Sequence, residues 1–178
     1  MAPKKATPAY SFPDPMDNDS LVGHCDVLES FMNAWAARDT HPIHPVWMLT
    51  GPKGIGKATL AYKIAKIVYG NVGDFFIIDQ ARNIDKDGKN KSDGKVISVY
   101  TVRAMIDRMR MSSMSGEWRV VLIDSVDELN TAASNAILKL LEEPPAKTLF
   151  LLVTHQLANV LPTVRSRARV EKMRPLTI

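Results

Sequence analysis

The stretch from Val46 to Leu60 narrows most sharply what this chain folds into. Val46-Trp47-Met48-Leu49 is a short apolar run of β type. It leads straight into Thr50-Gly51-Pro52-Lys53-Gly54-Ile55-Gly56, a turn punctuated by glycine. After Lys57 the residues Leu60, Ile64, Ile67 and Val68 recur at helical spacing, so the order is strand, loop, helix. Glycines let such a loop turn tightly with its N–H groups inward, and the following helix adds the partial positive charge of its N-terminus. Lys57 stands where an ammonium reaches the outer phosphates of a nucleotide. The pattern G-x-x-x-x-G-K-S/T asks for a hydroxyl directly after the lysine to ligate Mg²⁺; that place is Ala58, with Thr59 one residue later. The phosphate site reads as formed and the metal site as damaged.

A second constraint comes from Trp118-Arg119-Val120-Val121-Leu122-Ile123-Asp124, a nearly continuous apolar run ending in a carboxylate. This is the pattern of a central parallel strand that delivers an acid to the carboxyl edge of a sheet, a Walker B strand. In a phosphoryl-transfer site of this design the acid organises Mg²⁺, and a neighbouring group must orient the attacking water. The residue after Asp124 is Ser125, a poor base without a partner. Asp127 and Glu128 follow, but they leave the strand end and are expected to point elsewhere.

The rest of the chain alternates strand and helix signals. From about Cys25, the residues Val27, Leu28, Phe31, Met32 and Trp35 form an apolar stripe, with Cys25 as a small packing residue. His41-Pro42 and His44-Pro45 then stop the helix in a turn before the first strand. Phe75-Phe76-Ile77-Ile78 reads as a buried strand. Asp79 to Lys95, with Asp87-Gly88 and Asp93-Gly94, reads as a loop or hairpin. Thr101 is placed to cap a helix whose buried side carries Val102, Met105, Ile106 and Met109. Thr131 to Leu141 is a further helix, ended by Glu142-Glu143-Pro144-Pro145. Carboxylates at a helix C-terminus oppose the macrodipole, so Glu142 and Glu143 need solvent or a cation, the sharper choice being an arginine across an interface. Thr148 to Val153 is another strand, with Thr154 and His155 expected exposed at its end. Pro162 to Arg167 turns into a last short strand near Val170. Residues 1–19 are rich in Pro, Lys and Asp and read as a flexible arm, whose Lys4 and Lys5 could touch a phosphate backbone. Residues 20–178 read as one three-layer α/β/α domain on a mostly parallel five-stranded sheet.

Composition sets the outer limits. With 178 residues, 46% of them hydrophobic, the chain suits a single globular domain. No stretch approaches the roughly 20 apolar residues of a membrane span, so no membrane partner is expected and the chain reads as cytoplasmic. Cys25, the one cysteine, rules out an internal disulfide and a multi-cysteine zinc cage. A net charge of +4 permits a nucleic-acid or phosphate partner without demanding one.

Taken together, Gly51 to Thr59, Val121 to Asn130, Asn135-Ala136-Ile137-Leu138-Lys139-Leu140-Leu141-Glu142-Glu143-Pro144-Pro145 and Leu161-Pro162-Thr163-Val164-Arg165-Ser166-Arg167 resemble the AAA+ clamp-loader subunits of bacterial DNA polymerase III. The resemblance runs from about Leu21 to Val170. It implies a P-loop NTPase fold of the AAA+ RecA-like type. Gly51, Pro52, Lys53, Gly54, Ile55, Gly56, Lys57, Ala58 and Thr59 would form the Walker A loop, binding ATP or ADP, with Mg²⁺ only if nucleotide binds. Asp124 would be a degenerate Walker B acid, and Thr154 with His155 the sensor-1 region that reports on the γ-phosphate. Ser166-Arg167-Ala168 matches the family's Ser-Arg-Cys motif, whose arginine acts as a finger on nucleotide held by the neighbouring subunit. Implied partners are the gamma/tau and delta subunits and, through the complex, the sliding clamp and primed DNA. Many relatives carry a four-cysteine zinc module that this chain cannot build, so neither zinc nor another resident metal is expected. The family's lid and helical collar are not in this sequence, which therefore reads as a fragment. With both Ala58 and Ser125 departing from the hydrolytic pattern, the leading reading is a non-hydrolysing stator that supplies Arg167 in trans. An active AAA+ motor of gamma/tau or replication-factor type remains the alternative, and a P-loop small-molecule kinase a remote one.

Overall fold

Four apolar runs become strands, a fifth and short strand is the charged Arg169–Lys172, and the helical stripes become the helices that join them. In chain order the elements are α1 (Cys25–Ala36), β1 (Val46–Thr50), α2 (Lys57–Tyr69), β2 (Asp74–Asp79), α3 (Val99–Met111), β3 (Arg119–Asp124), α4 (Thr131–Glu142), β4 (Thr148–Thr154), α5 (Pro162–Arg165) and β5 (Arg169–Lys172). The computed structural model describes residues 15, 18, 21–70, 73–91, 96–111 and 117–176. Lys4, Lys5 and the expected arm, apart from Pro15 and Asn18, lie outside the described residues, as does the Asp93-Gly94 turn.

The strands form one sheet in the order β2-β3-β4-β1-β5, with each adjacent pair parallel. Parallel neighbours need crossover connections, which the helices supply, and this covers both faces of the sheet. Side chains alternate along each strand. Val120, Leu122, Leu149, Leu151, Trp47 and Leu49 pack toward α1 and α2 with Phe31, Leu60 and Ile64. Val121, Ile123, Phe150, Leu152, Val46 and Met48 pack toward α3 and α4 with Val102, Met105, Ile137 and Leu141. β1, β3 and β4 are buried on both faces, which is why they read as continuous apolar runs and not as alternating ones. Register puts Thr50 beside Thr154 and Asp79 beside Asp124, so the carboxyl ends of β1 to β4 lie along a common edge. Ligands of open parallel sheets bind at that edge.

Local expectations hold with instructive exceptions. Asn130 caps α4, its Oδ1 accepting from the Ala133 N–H at 2.7 Å. α3 begins before Thr101, and the capping oxygen is Ser98 Oγ, which accepts from the Thr101 N–H at 3.4 Å. Thr101 turns inward instead: its Oγ1 accepts from the Ile84 N–H and donates to Asn83 Oδ1, fastening the preceding loop to the helix. That loop makes a small hairpin with an antiparallel bridge between Ile84 and Asn90 and a turn at Gly88. Cys25 and Met32 fall on the exposed side of α1 because the buried stripe is narrower than the sequence suggests, centred on Val27 and Phe31.

Candidate nucleotide site

The loop between β1 and α2 wraps as its glycines require. Gly56 has φ 93°, a left-handed conformation that side chains avoid, and it directly precedes α2. At Gly51 a Cβ would lie 2.4 Å from the Met173 carbonyl, so the start of the loop approaches the strand-end backbone too closely for any other residue. Two further contacts hold the loop. Met173 N–H donates to Thr50 O at 2.8 Å, and His24 Nε2 lies 2.8 Å from Ile55 O. His24 belongs to no motif in the sequence; Gly23 and His24, just ahead of the first helix, both take positive φ.

Lys57 is buried, 3% exposed, and its Nζ donates to Pro52 O at 2.6 Å. Burial presses the ammonium below its ordinary pKa, against the pull of Asp124 and Asp127. Beside it opens a cavity of about 920 Å³. Lys53, Gly54, Ile55, Gly56, Ala58 and Thr59 line one part, Asp124 and His155 another, and Leu21, Val22, Pro175 and Leu176 an apolar end. Loop backbone N–H groups beside apolar side chains suit a phosphate chain carrying an aromatic base. Ala58 brings no side-chain oxygen to this cavity, and Thr59, 7% exposed, is among its lining residues.

Asp124 follows Val120 and Leu122 on the α2 side of the sheet, which turns it toward Lys57. Burial lifts its carboxyl above the ordinary range; the Ser125 hydrogen bond, His155 and Lys57 pull it back, and Asp79 adds to the rise. Ser125 Oγ donates to Asp124 Oδ1 at 3.2 Å and lies 2.9 Å from His155 Nε2. A hydroxyl has one proton, so with that proton on Asp124 the imidazole Nε2–H donates to Ser125. The tautomer leaves Nδ1 as a lone pair, in keeping with its burial without a hydrogen-bond partner among the described residues. Burial and the Lys57 charge press the His155 pKa down, favouring the neutral ring.

Thr154 and His155 part company. Thr154 was expected exposed and is fully buried; alternation along β4 sets it with Phe150 and Leu152 on the α4 side, away from Asp124. His155 alone of the pair lines the cavity. Asp127, as expected, is not among the residues lining the cavity; its carboxylate accepts from the N–H groups of His155 at 3.3 Å and Gln156 at 3.2 Å, tying the end of β3 to the end of β4. Glu128 Oε2 accepts from Gln80 Nε2 at 2.7 Å.

Arg167 sits between α5 and β5 and is not among the residues lining the cavity. Its Nη2 donates to Glu142 Oε1 at 3.0 Å and its Nη1 to Thr163 O at 2.9 Å. The cation that Glu142 needs at the C-terminus of α4 thus comes from its own chain. Glu171 pairs with Arg169 at 2.8 Å. Ala168, at the place of the motif's cysteine, packs against the α3–α4 core.

One consequence can be tested on stability alone. A carboxyl whose pKa is raised by folding carries a penalty in its charged form. The penalty is absent at pH below the unfolded value, grows between the unfolded and the folded values, and is constant above. Asp124→Asn is therefore expected to melt higher than the parent at pH 7, with the difference shrinking toward pH 4 in calorimetry. A variant that melts lower at pH 7 contradicts this electrostatic picture.

Comparison with known proteins agrees with the geometry. The family described as DNA polymerase III, delta subunit matches residues 26–177. The delta' subunit of DNA polymerase III from Yersinia pestis is 41% identical over 98 residues, covering 55% of this chain and 26% of that protein. The gamma subunit from Buchnera aphidicola (Schizaphis graminum) is 27% identical over 174 residues, covering 86% of this chain and 44% of that protein. The chain thus spans less than half the length of these relatives. Among solved structures, the RuvB Holliday junction branch migration motor of Thermotoga maritima superposes with a TM-score of 0.62 at 18% identity, covering 90% of this chain and 49% of that one, which establishes the fold. With that family model matching residues 26–177, nearly the whole of the described chain, the chain belongs to the DNA polymerase III delta-subunit family of AAA+ clamp-loader proteins.

Proposed function

We propose that the protein is a clamp-loader subunit of the delta-prime kind. In this reading it assembles with gamma/tau and delta subunits, helps place the sliding clamp on primed DNA, and binds ATP or ADP with little or no hydrolysis. It acts as a stator and presents Arg167 to nucleotide held by a neighbouring subunit. The observation that carries the reading is the occupied Ser125. Where a hydrolytic site needs a group free to orient water, Ser125 is enclosed between Asp124 and His155.

The residues present fit a nucleotide's phosphates: the glycine backbone and the N-terminus of α2 line the cavity, with Lys57 buried behind the loop and hydrogen-bonded to Pro52 O. They fit Mg²⁺ less well. Such an ion takes oxygen ligands and, when bound, neutralises charge on the transferred phosphoryl group, and the side chains offer it Asp124 without a hydroxyl at Ala58. The formed loop and buried Lys57 keep a second reading in play, an active motor subunit, favoured by the match to a gamma subunit.

The test is reconstitution. A loader assembled with this protein, gamma/tau and delta is expected to place clamps on primed DNA, and one assembled without it to fail. Undiminished loading without it defeats the proposal.

A further inference from the structure

We infer that Glu142 is a positioning residue for Arg167, fixing the guanidinium in the attitude from which it reaches a neighbour's nucleotide; this rests on the trans role proposed above. Glu142 is the last residue of α4, where a carboxylate faces the negative end of the helix dipole. The residue that relieves it lies 25 positions later. Leu141 and Val164 are buried in the same core, so packing of α4 against α5 brings the two side chains to a common corner.

Arg167 is held there from two directions. Nη1 donates to Thr163 O at 2.9 Å and lies 3.5 Å from Ser166 Oγ; Nη2 donates to Glu142 Oε1 at 3.0 Å. One anchor belongs to α5 and the other to α4, so the plane of the fork is set and not merely its position. Nε–H makes no hydrogen bond among the described residues, and the side chain keeps 36% of its surface exposed. A long, flexible cation tethered through part of its fork, with donors to spare, is ordered before it meets its acceptor. Such ordering serves rate more than stability, because an exposed pair contributes little to folding while small displacements of a catalytic group are costly. The adjacent Glu143 makes no ion pair among the described residues and provides the control.

The test uses a loader assembled from the full-length protein and its partner subunits, with kcat and KM for ATP measured in the presence of clamp and primed DNA. Glu142→Gln is expected to lower kcat roughly 10- to 100-fold at the site Arg167 serves, with KM and assembly unchanged and with Glu142→Asp between the two. Glu143→Gln is expected to match the parent. In an Arg167→Lys background, Glu142→Gln should have no further effect, since it acts through the fork. Parental kcat for Glu142→Gln beside a slowed Arg167→Lys overturns the inference and leaves the trans role standing. An equal loss in both backgrounds also overturns it, by showing that Glu142 acts elsewhere. If Arg167→Lys itself is as fast as the parent, the trans role fails and the inference falls with it.

Discussion

Arg167→Lys is expected to leave folding and assembly unchanged and to slow ATP hydrolysis in a loader containing full-length partner subunits. Lysine keeps the charge but loses the planar fork, so it cannot hold Glu142, Thr163 O and a phosphate oxygen together. A complete arginine finger supplied in trans is worth roughly 10³–10⁵ in rate where it has been measured, which bounds the effect at the site concerned. The competing role, a surface ion pair with Glu142, is worth no more than about 1 kcal/mol for side chains this exposed. The measurements are thermal melting, subunit assembly and steady-state ATPase. Parental ATPase and clamp loading would reduce Arg167 to a structural contact.

The next largest effect concerns the frame that holds the site. Ile123 lies on β3, flanked in register by Ile78 of β2 and Leu152 of β4, and is fully buried against the α3–α4 face. Ile123→Ala removes buried methyl groups from a strand that cannot move without disturbing both neighbours, so it is expected to cost about 2–5 kcal/mol. Against a typical domain stability of about 5–15 kcal/mol this is a large fraction, readable as a shifted midpoint in urea denaturation. Because Asp124 follows immediately, the site should loosen as the sheet does. A variant that unfolds with the parent's midpoint would mean that Ile123 does not bear on the core as described.

Much of the fold was legible because parallel strands buried on both faces leave continuous apolar runs, and Val46 to Thr50, Val120 to Ile123 and Thr148 to Val153 are such runs. The glycine turn between β1 and α2 was legible because its glycines have a conformational cause that acts within a few residues. Contacts made across the fold were not. Asp127 reads as a residue leaving a strand, and only the nearness of β4's end turns it toward the N–H groups of His155 and Gln156. Nor does sequence spacing pair Arg167 with Glu142, 25 positions earlier, which α4–α5 packing brings beside it. Thr154 and His155 were read as one exposed unit, yet strand alternation continues through Thr154 and buries it on the far face. The role of His24 is not local in sequence, because its hydrogen bond to Ile55 joins residues 31 positions apart.

The central claim is that the phosphate site binds without turning over. It is tested by measuring Mg²⁺-dependent ATP hydrolysis and nucleotide affinity side by side on this protein alone. The expected result is saturable nucleotide binding that weakens on Lys57→Ala, with no hydrolysis above background at saturating ATP. Hydrolysis that the parent sustains and Lys57→Ala abolishes would contradict the account and make the protein a motor subunit.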